Sequence, residues 1–308
     1  MRTDFIGILD SVRQGLPAML ELDIDGIRYF RIFRPKERLI LLGGGHIAQP
    51  LCTFAAALDF SAVVVDDRPA FANRIRFPEA DNVLCEAFPH AIRQLKIQEN
   101  DYVAVITRGH RWDADCLRAI LPGTMPKYLG MIGSKRRTTG LLQLLEEEGL
   151  SRSKLNLIHT PIGLDIGALT IQEIAVSILA ELIKCRRQGT DRHANKTVLT
   201  SEDIDLDLLK FLAEDGTPKA LLLVYDTSGS TPVKSGALMA IDVNSRMAGT
   251  IGGGCSENAV LRDAYALIGT GGRRSVTVDM SNDVAEEEGM VCGGRMKVLI
   301  VDVTGETP

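Results

Sequence analysis

Three groups of residues in this chain have types and spacings that can do chemistry. The first is Gly43, Gly45 and Ala48, within RLILLGGGHIAQP from Arg38 to Pro50, which fit G-x-G-x-x-A. One glycine of that pattern makes a tight turn, another lets backbone approach a pyrophosphate, and the small residue lets a helix pack closely on its strand. His46 belongs to the same turn, and Asp66 closes the next apolar run, Ala62 to Val65. It lies roughly twenty residues beyond the first glycine, where dinucleotide folds place a carboxylate for ribose hydroxyls. The second group is Gly133-Ser134-Lys135-Arg136-Arg137. Three cations at the start of a helix oppose its dipole, so an anionic ligand or partner is expected to face them, a solvated basic first turn being the alternative.

The third group pairs thiols with glycines. Cys255 follows Gly252, Gly253 and Gly254, and Cys292 precedes Gly293 and Gly294. A thiol at the mouth of a helix is biased toward thiolate, which makes Cys255 a candidate for sulfur transfer or metal ligation. Lys234, in the turn from Gly229 to Gly236, adds a cation to hydroxyls and amides that suit a phosphate or an acidic pterin. Turn-making alone would also account for the glycines, and burial for the thiols.

The surrounding pattern supplies the elements. Leu39 to Leu42 is a short apolar run of the kind buried on both faces of a parallel sheet, and Ile47, Leu51, Phe54 and Leu58 form a helical stripe after it. Strands are expected at Val83 to Cys85, Tyr102 to Thr107 and Tyr128 to Ile132, with helical segments at Ala91 to Leu95, at Asp113 to Leu121, and from the Gly133 to Arg137 turn to Glu148. That rhythm predicts a doubly wound sheet with right-handed crossovers. His110, in RGHRWD after the Tyr102 strand, then falls on the carboxyl edge, as an acid or base or as a hydrogen-bonding structural residue. Thr170 to Glu173 reads as a capping box opening an apolar helix to Cys185.

With 308 residues, two cores are expected, because single cores stop growing at roughly 250 to 300 residues. The expected fold class is α/β. Residues 1–35 read as an N-terminal arm, 36–187 as a Rossmann-like nucleotide-binding domain, and 188–199 as a linker. Residues 200–308 read as a second, smaller α/β domain rich in glycine and cysteine. In that domain the expected elements are a helix from Glu202 to Asp215, strands at Ala220 to Tyr225, Leu238 to Ile241 and Met296 to Val303, and a helix from about Asn258 to Leu267. Net charge is −5 with the signs interspersed, so neither nucleic acid nor a membrane surface is an expected partner. Six cysteines without C-x-x-C spacing, no signal-peptide pattern and no long apolar span make a reduced cytoplasm the expected home.

The stretches LLGGGHIAQPL, VVVDDRPAFANRIRFPEAD, VITRGHRWD, YLGMIGSKRR and PIGLDIGALTIQEIAVSILAELI, with GSTPVKSGALMAI, GTIGGGCSENAVLRDA and GMVCGG, carry a resemblance that covers nearly everything after Pro35. The chain resembles the xanthine dehydrogenase accessory protein family, XdhC/CoxI. The resemblance implies a cytoplasmic maturation factor that binds the molybdenum cofactor, supports its sulfuration and delivers it to a molybdenum hydroxylase such as xanthine dehydrogenase. It also implies a cysteine desulfurase partner and is compatible with a homodimer. The family's usual order, glycine and cysteine part first, is reversed here. Cys255 and Cys292 would be the soft ligands and Gly252 to Gly254 the phosphate cradle. The Rossmann part would hold NAD(P) or the nucleotide of a dinucleotide cofactor. The competing class is an NAD(P)-dependent oxidoreductase, with Asp66 on the ribose and His110 handling the proton.

Overall fold

The computed structural model describes residues 2–188, 197–200, 206–214, 216–280 and 293–303. The chain divides into two units, Lys36–Thr190 and a second built from Met1–Pro35 together with Asp191–Pro308. The chain begins in the second, with α1 (Arg2–Arg13) and an antiparallel hairpin of β1 (Ala18–Ile24) and β2 (Ile27–Phe33). Phe5, Ile8, Leu9 and Val12 recur at helical spacing and are buried, and Leu20, Leu22 and Ile24 alternate inward. They share one core with Leu208, Leu209 and Leu212 from far along the chain. Residues 1–35 are therefore a packed part of that unit rather than an arm.

The Rossmann unit runs through β3 (Arg38–Leu42), α2 (Ala48–Ala57), β4 (Ser61–Asp66), β5 (Asn82–Cys85), α3 (Phe88–Leu95), β6 (Tyr102–Val105), α4 (His110–Ile120), β7 (Tyr128–Met131), α5 (Lys135–Glu147), α6 (Arg152–Leu155) and α7 (Ile171–Arg187). Its five strands are parallel in the order β5-β4-β3-β6-β7, so the winding direction reverses between β3 and β6. Leu39 and Leu41 face a core with α2 and α7, whereas Ile40 and Leu42 face one with α3, α4 and α5. Burial on both faces explains the unbroken apolar runs. No helix bridges β4 to β5. Pro69 and Pro78 interrupt that stretch, and residues 67–81 cross as an irregular segment that buries Phe77 and Ala80.

The capping box at α7 forms as expected. Thr170 Oγ1 accepts from the Glu173 amide at 3.3 Å, and Glu173 Oε2 accepts from the Thr170 amide at 2.8 Å. Thr170→Ala is expected to cost about 0.5 to 2 kcal/mol. An unchanged melting temperature would show that packing of α7 alone holds the helix start.

Residues 189–196 of the expected linker lie outside the described residues, and its end is β8 (Val198–Thr200), paired in parallel with β2. Then come α8 (Leu206–Ala213), β9 (Lys219–Ser228), β10 (Leu238–Asp242), β11 (Met247–Gly249), α9 (Gly254–Leu267), β12 (Arg273–Asp279) and β13 (Arg295–Asp302). Residues 201–205 and 215, at the two ends of the expected Glu202 to Asp215 helix, lie outside the described residues. The five-stranded sheet, β11-β10-β9-β13-β12, is antiparallel throughout. Leu221 and Leu223 of β9 face the core of α1, α8 and the hairpin, while Leu222 and Val224 face α9. With its N-terminal share, this unit holds about as much of the chain as the Rossmann unit.

Candidate functional site

The glycine turn sits at the switch point. Gly43 follows Leu42 with φ of 122°, and a Cβ there would overlap the carbonyl of Ile106, just beyond β6. A Cβ on Gly44 would overlap the carbonyl oxygen of Phe71. Gly45 is different: a Cβ there would meet nothing within 4 Å. The fold itself therefore demands glycine at positions 43 and 44, whereas Gly45 leaves room for something outside the chain. The motif treats Gly44 as a free position, so sequence reasoning missed it. Ala48 is fully buried at the start of α2 as the pattern requires, and His46 is exposed.

Asp66 closes β4 and is 1% exposed. Its Oδ1 accepts from the Arg68 amide at 3.1 Å and Arg68 Nε at 2.8 Å, and its Oδ2 from Arg68 Nη2 and the Gly44 amide, both at 2.9 Å. Burial works to raise its pKa, but the bonds from Arg68 and Gly44 outweigh that and hold it below the usual carboxylate value. A carboxylate offers about four lone-pair sites, and four donors fill them here. The expected ribose contact at Asp66 is thus already taken by Arg68, two residues along. Arg68 stacks on Phe71 at 3.7 Å and Arg76 lies over the same ring at 5.1 Å. Arg76 Nε donates to the Gly44 carbonyl at 3.0 Å, so the irregular segment is tied down onto the glycine turn.

At the end of β6, Thr107 Oγ1 donates to the buried Asp113 carboxylate at 2.6 Å. Burial pushes the Asp113 pKa up despite that bond. His110 Nδ1 is 3.8 Å from Asp113 Oδ2 and its side chain is about half exposed. Arg108 pairs bidentately with Asp67 and stacks on Trp112 at 3.8 Å. The next strand end carries Gly133, with φ of 149°, and Ser134 as the N-cap of α5. Lys135, Arg136 and Arg137 are exposed there. All these groups lie on the carboxyl edge of the sheet, as the sequence order predicts.

The second unit gathers its motifs at one end of the antiparallel sheet. β9, β11 and β12 end there and β10 and β13 begin there, as the registers Leu223↔Leu238, Met239↔Gly249 and Ser228↔Arg295 require. Gly229 packs backbone to backbone on Gly293 and Gly294, so the 229–236 turn adjoins the last part of the GMVCGG string. Fully buried Arg31 donates from Nε to the Gly236 carbonyl at 2.7 Å and fixes the far end of that turn. Lys234 is exposed on it.

The loop before α9 departs from expectation. Glu257 Oε1 accepts from Thr250 Oγ1 at 2.6 Å, the Gly253 amide at 3.0 Å and the Ile251 amide at 3.1 Å, and the Gly252 amide donates to Thr250 Oγ1 at 3.0 Å. The amides of Gly252 and Gly253 therefore serve an internal carboxylate and hydroxyl, not an open phosphate cradle. Glu257 stands three residues after Gly254, a signal that sequence reasoning passed over. α9 starts at Gly254, so Cys255 is its second residue, earlier in the helix than expected. Cys292 lies outside the described residues.

The remaining cysteines sort by burial. Cys52 and Cys116 are buried, and burial pushes the Cys52 thiol to about 11 and raises Cys116 well above the usual value. Cys185 is half-buried and also raised by burial, while Cys85 is exposed. Among the described residues no three His, Cys, Asp or Glu side chains converge to hold a metal ion, and no helix is long and apolar enough to cross a membrane.

Fold and sites define a doubly wound nucleotide-type unit and an antiparallel unit rich in glycine turns, joined in one α/β chain. Residues 39–182 match the XdhC Rossmann domain and residues 212–279 match the XdhC and CoxI family, between them more than half of the chain. The chain belongs to the XdhC and CoxI family, with its Rossmann part ahead of its glycine and cysteine part. It is 33% identical over 161 residues to a probable xanthine dehydrogenase subunit of Bacillus subtilis (strain 168), covering 52% of this chain and 46% of that one. It is 29% identical over 155 residues to the molybdenum cofactor insertion chaperone PaoD of Escherichia coli (strain K12), covering 50% and 42%. The chain thus spans less than half the length of these curated relatives. The crystal structure of a xanthine dehydrogenase from Bacillus halodurans is 31% identical with a TM-score of 0.49, covering 61% of this chain and 52% of that one.

Proposed function

We propose that this chain is a maturation factor that holds the molybdenum cofactor, supports its sulfuration and passes it to a xanthine dehydrogenase-like hydroxylase, with a cysteine desulfurase as sulfur source. The observation that carries the reading is the convergence at one sheet end of the 229–236 turn, the loop leading into α9 and Gly293. The relatives' names support the same reading. The residues fit the group: a cationic Lys234 and the first turn of α9 suit its phosphate, and a cysteine in that turn offers the soft donor that molybdenum or sulfur prefers. When bound, the cofactor supplies the redox centre of the client. This chain's part is to bind, shield and release it. Glu257 keeps the loop before α9 in a fixed shape, and Arg31 does the same for the Lys234 turn.

The Rossmann unit has a separate task, binding a nucleotide across the switch point. Room at Gly45 supports this, because no neighbour among the described residues requires glycine there. Mass spectrometry of small molecules released from the purified chain tests both sites. A molybdopterin species with no turnover of purines or aldehydes in the presence of NADH is the expected result. Purine turnover by the chain alone would overturn the maturation reading.

The basic turn supplies a further test. Lys135, Arg136 and Arg137 are expected to meet an anionic ligand or an acidic client surface, so the triple alanine variant should bind more weakly, with a shallower salt dependence. If cofactor and client affinities stay unchanged at low salt, these residues are a solvated face.

A further inference from the structure

The end of β4 carries more than a generic nucleotide site. Asp66 stands where a ribose-reading carboxylate is expected, yet its four acceptor positions are filled by Arg68 and Gly44. A ribose diol could bind there only by displacing Arg68 from a buried, four-donor arrangement. Arg68 is the group left facing outward. It uses Nε and one Nη2 proton on Asp66, and its other three N–H donors find no partner among the described residues. Phe71 stacks on its face at 3.7 Å and stiffens it. Arg76 shares that ring at 5.1 Å and has a buried Nη2 with no hydrogen-bond partner among the described residues, a donor beside the glycine turn. Arg108 comes within 4.0 Å of Asp66 while paired with Asp67. Arg68 thus pairs with Asp66 and Arg108 with Asp67, while Arg76 shares the Phe71 ring with Arg68, on the irregular segment that replaces the usual crossover helix and at the end of the neighbouring strand.

We propose that the Rossmann unit takes a dinucleotide whose adenosine ribose carries a 2′-phosphate, with Arg68 reading that phosphate, Arg76 and Arg108 flanking it, and Asp66 serving as the post that holds Arg68. An arginine fork matches a phosphate monoester in bidentate geometry, which a diol cannot exploit. A nearby arginine is the general device by which such folds accept the 2′-phosphate. This inference rests on the nucleotide reading of the unit and adds which nucleotide it is.

The test is calorimetric titration of the full chain with NADP, NAD, 2′,5′-ADP, 5′-AMP and inorganic phosphate. NADP is expected to bind about tenfold to a hundredfold more tightly than NAD, the range set by one or two charge-assisted hydrogen bonds, with 2′,5′-ADP exceeding 5′-AMP by a similar factor. Arg68→Ala should abolish that preference, and because it frees Asp66 for ribose hydroxyls, NAD should bind at least as tightly as it does to the wild-type chain. Arg68→Lys keeps the charge without the fork and should retain only part of the preference, which guards against an alanine variant that fails to fold. Equal affinity for the phosphorylated and unphosphorylated partners in the wild-type chain overturns the proposal while leaving a nucleotide site standing. Inorganic phosphate binding as tightly as 2′,5′-ADP overturns it in favour of a plain anion site. No binding of any nucleotide removes the nucleotide reading itself.

Discussion

Replacing Gly43 with alanine is expected to destabilise the Rossmann unit severely, and replacing Gly45 to leave it nearly untouched. At Gly43 the backbone has φ of 122°, and the added methyl would overlap the Ile106 carbonyl. Holding an ordinary residue in that region costs about 1 to 3 kcal/mol, and forcing the strand ends apart a further 1 to 3 kcal/mol or so. Gly44→Ala meets the Phe71 carbonyl and should displace the segment that carries Arg68 and Arg76. At Gly45 the methyl has free space, so stability should change by less than about 0.5 kcal/mol. Any loss at Gly45 should then appear in nucleotide affinity alone. The single tryptophan, Trp112, lies in the Rossmann unit, so its fluorescence during denaturant unfolding reports that unit without contribution from the other. Equal destabilisation at positions 43 and 45 would reduce the glycine motif to a tight turn.

That contrast also marks what the sequence can and cannot convey. Leu39 to Leu42 and Ala62 to Val65 announce a doubly covered parallel sheet because local chemistry sets them. The position of Asp66 is equally legible, since strand and loop lengths fix it. Its partner is not, because spacing gives a location and says nothing about which side chain folds back upon it. Arg68 stood two residues away in Asp66-Asp67-Arg68, and the meaning of that triplet appears only once Phe71 and the Gly44 amide close around it. The N-terminal segment shows the same limit over a longer range. Leu20, Leu22 and Ile24 alternate with Glu21 and Asp23, which is a strand signal, but the surface they bury belongs to the chain's last third. β2 pairs in parallel with β8, so the Rossmann unit is inserted between two strands of the other unit that pair with each other. A glycine and cysteine unit that looks second in the chain is also first in it.

The largest functional effect is expected at Cys255. It is the second residue of α9 and glycines precede it, and a thiol in the first turn of a helix is in general the more reactive kind. The cysteines buried in the Rossmann unit cannot compete, because burial raises the thiols of Cys52 and Cys116. Cys85 is exposed at the end of β5, so labelling should be done in a Cys85→Ser background. Alkylation at neutral pH should then modify Cys255 before Cys52, Cys116 and Cys185, and bound molybdopterin should slow it. Cys255→Ser preserves size and removes the soft sulfur. Cofactor retained through purification and sulfuration of a xanthine dehydrogenase-like client should both fall by most of their wild-type value, while the circular dichroism and melting of the whole chain stay unchanged. A Cys255→Ser chain that still matures its client at the wild-type rate would falsify the thiol role. Binding would then have to rest on Lys234 and the first-turn amides of α9, since the amides of Gly252 and Gly253 are already committed to Thr250 and Glu257.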